Sequence, residues 1–503
     1  MKEQNWLITL GAIVLAAGAT LISGCGGGSS NTTPPPPAPQ IQNINSSTTP
    51  TSPVSLPIEI NGSNFQAAPG KVTFTQGSIS ADVVPTTSVW SDSGVVAAVP
   101  AGNGTTSFTV PGTVSVTVTT SGGTSNAVTV NLVPPPTFNP SAMGWSTTMA
   151  LPKPMTGLRA VAIPGTSGTS AFAIVTGGFD GSANTTTVWA NNLNQDGTVG
   201  NSTNTTWATI ATNPLPTTLA HHAMAEADDT NSLVPQGKRF IYVIGGQVNA
   251  TDTAGTNKVY VASVDSTAGT VGTWTTLTNN LPQPLLGMSA TVHNGYLYVA
   301  GGLNTNGVPV GSVYSALVNS DGTLGTWTTA TNTLPTPRAF GTMFVFGGIV
   351  YYINGDQNSS IPPNDQGVGD KFVYYASALR GAVGTWVQNG NSTIHDRAKG
   401  VLFAAYGQVI SGEGVYNGSV GSGEMEISTI NATNTGNLAL NSWNGLTGST
   451  DATANVYNAA GITSPLVSTT NAPRFLILGG QALTGTTGAG GALSSTVYYN
   501  SKP

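Results

Sequence analysis

Apolar residues fall in short runs along most of the chain, and the segment from Leu281 to Trp327 shows the arrangement most fully. Two apolar runs, residues 296–300 and 313–318, are bounded by turn signals such as Asn294-Gly295, and the segment ends at the tryptophan. Glycine after asparagine or aspartate marks tight turns between strands. The pattern therefore predicts a four-stranded antiparallel sheet, read in chain order.

The same features recur before and after this segment. Apolar runs end at glycine pairs and further units end at a tryptophan, the positions being Gly177-Gly178, Gly245-Gly246, Gly301-Gly302, Gly479-Gly480, Trp207, Trp274, Trp386 and Trp443. Repeated sheets of this length are typical of a β-propeller. A sixth unit ends after Tyr499 without its tryptophan strand, and residues 144–148, which include Trp145, supply one from the front. We therefore expect a ring of sheets that is closed by its first and last strands.

Two further marks accompany the glycine pairs and the closing tryptophans. They are Pro337-Arg338 at the start of a unit and the pairs Val259-Tyr260, Val313-Tyr314 and Val497-Tyr498. In these marks the repeat resembles the kelch family, which implies a six-bladed kelch-like β-propeller over residues 141–503. The fourth and fifth units depart from the pattern, with Asn354-Gly355 and Ser411-Gly412 where a glycine pair is expected.

Residues 40–133 carry a different pattern of short strands. Residues 58–60, 72–75 and 114–118 alternate between apolar and polar positions, so one face of each strand is expected in a core. Asn61-Gly62 and Gly122-Gly123 are predicted turns, and Phe65 and Trp90 are predicted core residues. The order of these features resembles an IPT/TIG domain, which implies a small immunoglobulin-like β-sandwich. Prolines at 134–136 begin a predicted hinge over residues 134–140.

The first residues have the features of a secretory signal. Lys2 precedes an apolar stretch, residues 6–22, that leads to Ser23-Gly24-Cys25. Together with Leu21 and Ile22, this end resembles the lipobox of bacterial lipoproteins, which implies removal of the signal peptide 1–24 and lipidation of Cys25. The alternatives are an uncleaved membrane helix and an ordinary signal with an incidental cysteine. Residues 25–39, rich in Gly, Ser and Pro, are a predicted flexible tether.

Composition narrows the set of partners. Charged residues make up 7% of the 503 residues, the net charge is -6, and only 14 residues are Lys or Arg, so a nucleic-acid partner is disfavoured. The one cysteine, Cys25, excludes an intramolecular disulfide. The expected partners are the membrane, reached through the lipid on Cys25, and a protein or glycan ligand. Gly26 after the cysteine favours the outer membrane or cell surface of a bacterial envelope.

Three enzyme classes share propeller folds of this kind. Galactose-oxidase-like propellers need a tyrosine linked to a cysteine, and Cys25 is committed to the lipid. Sialidases carry Asp boxes, but Asp196-Gly197 and Asp321-Gly322 have the wrong spacing and are predicted hairpin turns. For the third class, kelch sugar mutarotases, the candidates for proton transfer are His395-Asp396-Arg397 and Glu413, if they face the central channel. We favour a structural role, because His395, Asp396 and Arg397 stand where another unit has Pro-Arg.

The preferred interpretation of the whole chain is non-catalytic. We predict a cell-surface or outer-membrane lipoprotein whose propeller binds a macromolecular or glycan partner, without catalytic residues, cofactor or metal site. Exposed aromatic side chains such as Trp189 and Tyr416 are candidates for stacking on that partner. Adjacent His221 and His222 are expected on opposite faces of a strand and so do not form a metal site.

Two alternatives stay open, a carbohydrate-active enzyme on the same propeller and a passive structural component of the envelope. Charged residues that converge on the channel favour the enzyme, whereas a lining of Thr, Ser and apolar groups favours binding. The passive component differs from both because it has no saturable ligand.

Overall fold

The computed structural model describes most of the chain after residue 33. The described residues are 34–45, 47, 50–134, 144–166, 170–207, 210–229, 231–232, 234–358, 369–405, 407–416, 425–430, 439–446, 456–466, 473–482 and 491–500. The predicted signal peptide 1–24, Cys25 and all of the hinge except Pro134 lie outside these ranges. Within them the protein is all-β, and no helix has the length and apolarity needed for a membrane span. All the strands belong to one unit, Pro37–Pro503.

Ten strands between residues 40 and 133 form two sheets around one hydrophobic core. They are β1 Gln40–Ile44, β2 Thr51–Pro53, β3 Pro57–Ser63, β4 Lys71–Gln76, β5 Ile79–Val83, β6 Trp90–Ser91, β7 Gly94–Ala98, β8 Gly112–Thr120, β9 Gly123–Thr124 and β10 Val128–Val133. The strand orders are β1-β3-β7-β6 and β2-β10-β8-β4-β5, with β9 paired to β8. Phe65 and Trp90 lie in the shared core, as predicted from the sequence.

The predicted turn at Asn61-Gly62 is wrong, because both residues lie inside β3 and pair with β1. Gly62 is required by close packing. A Cβ atom there would lie 2.5 Å from the Phe65 ring and 2.0 Å from the carbonyl oxygen of Gln40, which no side chain tolerates. The glycine thus marks a close approach inside a strand.

The rest of the described chain contains six further main sheets and two short strand pairs, all antiparallel. Their strands are β11 Trp145–Thr147, β12 Arg159–Pro164, β13 Ala171–Thr176, β14 Val188–Leu193, β15 Ala223–Asp228, β16 Arg239–Ile244, β17 Val259–Ser263, β18 Thr275–Thr276, β19 Ser289–His293, β20 Tyr296–Ala300, β21 Val313–Leu317, β22 Thr328–Thr329, β23 Thr342–Phe346, β24 Ile349–Ile353, β25 Val373–Leu379, β26 Ala382–Val383, β27 Val387–Gln388, β28 Arg397–Ala398, β29 Val401–Ala405, β30 Gln408–Gly412, β31 Val415–Tyr416, β32 Glu426–Thr429, β33 Asn444–Gly445, β34 Val456–Tyr457, β35 Ala460–Thr463, β36 Phe475–Leu478, β37 Gln481–Ala482 and β38 Val497–Asn500. Two short pairs, β28 with β31 and β34 with β37, lie beside the main sheets.

The main sheets follow one another in a closed cyclic order. One edge strand of each sheet faces the neighbouring sheets, and these strands, called here the inner strands, are β12, β15, β19, β23, β29 and β35. Each inner strand contacts the next, and β35 contacts β12. The last sheet has the order β11-β38-β36-β35, so its outer strand comes from the front of the segment. Trp145 pairs with Asn500, which confirms the predicted pairing of the first and last strands.

A cycle of backbone hydrogen bonds joins the residues that precede the inner strands. These residues, called here the central ring, are Gly157, His221, Gly287, Phe340, Lys399 and Asn458. Each N–H donates to the carbonyl oxygen of the preceding member, and Gly157 donates to Asn458, with lengths between 2.7 and 3.0 Å. All six have a positive φ between 54° and 66°. Residues other than glycine rarely adopt a positive φ, so its repetition at these positions indicates that the hydrogen-bonded ring requires this backbone conformation.

A second cycle of hydrogen bonds starts from the glycine pairs. The N–H of the second residue of each pair donates to a carbonyl of the following sheet, and Gly480 closes the cycle on Met155. In the fifth sheet the two residues with a positive φ at this position are Glu413 (φ 54°) and Gly414 (φ 91°). The N–H of Gly414 donates to the carbonyl oxygen of Val456. The sequence-based placement at Ser411-Gly412 is therefore wrong, because these residues still belong to β30. The feature that recurs from sheet to sheet is therefore the positive φ of the backbone, and not glycine itself.

The two-sheet region packs on the third, fourth and fifth main sheets at their turns between first and second strands. Glu59, fully buried in β3, lies 2.5 Å from Nε2 of His293 and accepts a hydrogen bond from Nδ2 of Asn294 at 2.9 Å. A Cβ at Gly348 would meet the Glu59 side chain, and one at Gly407 would meet Leu56. The contact is therefore close-packed as well as polar.

Replacement of Glu59 by alanine is expected to lower the free energy of unfolding by about 1–3 kcal/mol, because His293 and Asn294 lose a buried partner. Denaturant unfolding of the full chain measures the change. Lys153→Ala is the control, since its ion pair with Asp180 is exposed and 3.9 Å long. Equal changes in the free energy of unfolding would show that the buried contact of Glu59 contributes no more stability than an exposed ion pair.

Candidate functional site

The inner strands enclose a cavity of about 150 Å³ next to the central ring. Residues from the beginnings of all six inner strands line it, together with three members of the ring. Most of the lining is small or apolar, including Met224, Met288 and Met343. The polar side chains are those of Arg159, Ser289, Thr342, Lys399 and Asn458. Among the described lining residues, none is an aspartate or a glutamate.

Arg159 is the first residue of β12 and a half-buried cation in the wall of this cavity. Its Nη1 donates to the carbonyl oxygen of Leu158 at 2.8 Å, and within the described chain no carboxylate lies within 4 Å of the guanidinium. Burial lowers its pKa to about 10, which leaves it cationic at neutral pH. At this strand position the other sheets carry smaller residues, which are Ala223, Ser289, Thr342, Val401 and Ala460. Space for a ligand therefore remains beside the guanidinium.

Lys399 belongs to the central ring and is 3% exposed. Its Nζ lies 4.6 Å from the centre of the Phe340 ring, a cation–π arrangement. Burial lowers the pKa of the Lys399 ammonium to about 7, and the negative charge of Asp356 acts in the opposite direction. The side chain therefore interconverts between cation and neutral amine at neutral pH.

His221, His222 and Asn458 complete the polar surroundings of the ring. Nε2 of His222 lies 2.8 Å from Oγ1 of Thr176, and burial, with the charge of Arg159, lowers the His222 pKa to about 3. Burial and the charges of Arg159 and Lys399 also hold the His221 pKa well below its usual range. Both histidines are thus neutral at neutral pH.

The carboxamide of Asn458 is buried, and neither its oxygen nor its nitrogen has a hydrogen-bond partner within the described residues. Such unsatisfied buried groups are rare. Asn458 lines the cavity, but the two amide atoms themselves have almost no accessible surface.

The reason given from the sequence for rejecting a histidine metal site was wrong. His221 has a φ of 55° and, with His222, lies before β15, so alternation along a strand does not apply. His221 instead sits edge-on to Phe340, with 5.7 Å between ring centres. In the described part of the chain, no group of three or more His, Cys, Asp or Glu side chains has the arrangement of a metal site.

None of the sequence candidates for proton transfer lines this cavity, although Arg397 lines a smaller pocket that shares Phe340, Thr342 and Val401 with it. Arg397, 1% exposed, donates from Nη2 to Glu426 at 2.8 Å and from Nη1 to the carbonyl of Glu413 at 2.9 Å. His395 Nδ1 lies 3.1 Å from the same Glu426 carboxylate. Glu413 accepts a hydrogen bond from the N–H of Val456. These contacts give Arg397, His395 and Glu413 structural roles, which is the role favoured from the sequence, and nothing in them indicates proton transfer.

The structure also places the two aromatic candidates and the two Asp-Gly pairs. Trp189 is half-buried and packs on the core between the first and last main sheets, which contradicts its placement among exposed aromatics. The backbone of Tyr416 lies in β31, whereas its side chain lies outside the described features. Asp196-Gly197 and Asp321-Gly322 are tight turns, as predicted, with Gly197 donating to Asn194 and Gly322 to Asn319.

Sequence reasoning missed Arg159 and Lys399, the two cations that the fold brings into one cavity. The repeat itself contains a pattern that could have identified both residues. Alignment of the units at the central ring places each cation in a column otherwise filled by neutral residues. With two cations and no lining carboxylate, the cavity can bind an anion.

No family model matches the chain, and no curated protein matches it. Among solved structures, that of YjhT aligns with a TM-score of 0.44 and 14% sequence identity, covering 70% of this chain and 96% of that one.

Proposed function

We propose that the chain is a lipoprotein, anchored through Cys25 at the bacterial cell surface or outer membrane, whose six-bladed kelch-like propeller binds an acidic glycan group in its central cavity. Its IPT/TIG-like sandwich stands between the anchor and the propeller. The cyclic contacts of the inner strands and the two cycles of hydrogen bonds support the propeller. The lipobox resemblance at residues 21–25 supports the anchor.

The observation that carries the binding proposal is the guanidinium of Arg159, which lines the cavity without a carboxylate partner in the described chain. A guanidinium has five N–H donors in a fixed plane, and a carboxylate accepts two of them in parallel. The effective dielectric constant inside a protein is lower than that of water, so charge-assisted hydrogen bonds are stronger in such a cavity than in bulk water. A carboxylate on a sugar is therefore the ligand group that this site fits.

Neighbouring groups extend the same preference. Lys399 adds positive charge to the cavity wall when it is protonated. Met224, Met288 and Met343 form an adaptable apolar wall against which a sugar ring can pack.

The test is titration calorimetry of the full chain with D-glucuronate and D-glucose, which differ only in the carboxylate. We expect glucuronate to bind more tightly, and Arg159→Gln to weaken its binding by at least about tenfold, since a hydrogen bond to a charged group contributes about 1.5–3 kcal/mol. Arg380→Gln, at an exposed turn, is the matched control and should change nothing. Equal affinity for the two sugars would contradict the proposal.

One observation favours a second function, a carbohydrate-active enzyme on the same propeller. The Lys399 pKa of about 7 suits a general base at neutral pH. Proton NMR of bound glucuronate distinguishes the two functions. Anomer interconversion that depends on Lys399 would favour the enzyme, and binding without interconversion would favour the receptor.

A further inference from the structure

We infer that the cavity holds its acid in one orientation, with the carboxylate on Arg159 and a hydroxyl of the ligand on Thr342 at the opposite wall. The inference rests on the anion site of the proposed function and narrows its ligand class. That class is sugar acids in ring form, which carry a carboxylate on one side of the ring and hydroxyls on the other.

The closed cycle of six main sheets determines which side chains face each other. Each inner strand begins two residues after its member of the central ring, so the six first residues form one layer around the channel. In sheet order they are Arg159, Ala223, Ser289, Thr342, Val401 and Ala460, and all six line the cavity. The first and fourth members of a cycle of six are opposite each other. Arg159 and Thr342 therefore stand on opposite walls.

The two sides of this layer differ in chemistry. Arg159 lies between Ala223 and Ala460 of the neighbouring sheets, whose methyl side chains leave room for a carboxylate beside the guanidinium. The opposite side carries the hydroxyl of Thr342 and, next to it, that of Ser289. A hydroxyl donates one hydrogen bond and accepts two, so it can pair with a sugar hydroxyl in either role.

Both groups that the ligand would contact are accessible. Among the described residues, Nε and Nη2 of Arg159 and Oγ1 of Thr342 have no hydrogen-bond partner, yet none of the three atoms is sealed from solvent. Thr342 is partly exposed at the start of β23, between two neighbouring inner strands, so its exposed surface borders the channel. Ser289 is less available, because its Oγ already accepts a hydrogen bond from the N–H of Met343 at 2.9 Å.

This arrangement discriminates between acids of similar size. A sugar acid can bond Thr342 while its carboxylate lies on Arg159, whereas a hydrocarbon acid leaves Oγ1 of Thr342 without a partner. One neutral hydrogen bond changes affinity by about two- to tenfold. Cyclohexanecarboxylate is the informative comparison for D-glucuronate, since it has a six-membered ring and a carboxylate but no hydroxyl.

The experiment is titration calorimetry of the full chain with both acids. Thr342→Val removes the hydroxyl and keeps the shape of the side chain, and it breaks no hydrogen bond of Oγ1 within the described chain. We expect it to weaken glucuronate binding by at least about threefold and to leave cyclohexanecarboxylate binding unchanged, which also shows that the cavity is intact. Thr291→Val is the matched control, because Thr291 is partly exposed on β19 but does not line the cavity, and it should change neither affinity.

Arg159→Gln separates this inference from the proposed function. Both acids carry a carboxylate, so this substitution should weaken the binding of both by at least about tenfold. An unchanged glucuronate affinity in Thr342→Val, or an equal loss for both acids, would overturn the inference, and continued dependence on Arg159 would leave the anion site standing. Indifference of both acids to Arg159→Gln, or no binding of either acid to the wild type, would contradict the proposed function and the inference together.

Discussion

Replacement of Arg397 by methionine is expected to lower the free energy of unfolding by about 3–5 kcal/mol, the usual effect of breaking a buried ion pair. Glu426 is fully buried and accepts hydrogen bonds from Nε and Nη2 of Arg397 at 3.1 and 2.8 Å. Without the arginine, the carboxylate keeps its desolvation cost and loses its main counter-charge. Arg397 also bonds the carbonyl of Glu413, so the turn after β30 loses a contact as well.

Denaturant unfolding followed by tryptophan fluorescence measures this change. Lys71→Met is the control, because it breaks an ion pair of 2.7 Å to Asp82 that is half exposed and should cost less than about 1 kcal/mol. The double substitution Arg397→Met with Glu426→Leu should recover part of the loss, since no charge stays buried. Equal losses in Arg397→Met and Lys71→Met would contradict the structural role of Arg397.

Replacement of Lys399 by methionine is expected to stabilise the protein by a few kcal/mol at and below neutral pH, at about 1.4 kcal/mol per unit of pKa shift. The folded-state pKa of about 7 lies below the ordinary 10.5, so the folded protein binds this proton more weakly than the unfolded chain. The resulting penalty is complete below the folded pKa, shrinks as pH rises toward the unfolded value, and vanishes above it.

The pH dependence gives this prediction its test. Stability of wild type and Lys399→Met is compared at about pH 6 and about pH 10, with exposed Lys238→Met as control. The gain from Lys399→Met should be large at the lower pH and small at the higher one. A gain of the same size at both would show that the effect comes from packing and not from the buried charge. Stabilisation together with loss of ligand binding would mark Lys399 as a residue kept for function.

The sheets were predictable because burial on both faces leaves a direct trace in the sequence. Runs such as Phe475–Leu478 are apolar at every position, and all four residues of that strand are buried. The front strand was predictable because a unit without its tryptophan leaves an edge that needs a partner. Asn61-Gly62 misled because an Asn-Gly turn and a glycine required by packing have the same letters.

The candidate site was not predictable in the same way. Arg159 and Lys399 lie far apart in the chain, and only ring closure brings β12 and the residues before β29 to one cavity. His395, Arg397 and Glu413 stand out because charged residues are rare in this chain. Glu426, the partner of His395 and Arg397, lies on another strand that no local motif marks. Rare charges identify constrained positions, but they do not distinguish a ligand site from a structural ion pair.

The pairing of Trp145–Thr147 with Val497–Asn500 also bears on biosynthesis. The front strand leaves the ribosome before any other strand of the six main sheets, whereas its partner is the last of these strands to be made. The earlier sheets have time to form during translation, but the circle itself must wait for the final strand. A premature stop shortly before residue 497 would therefore leave an open chain of sheets with two unprotected edges, ready to associate with other copies.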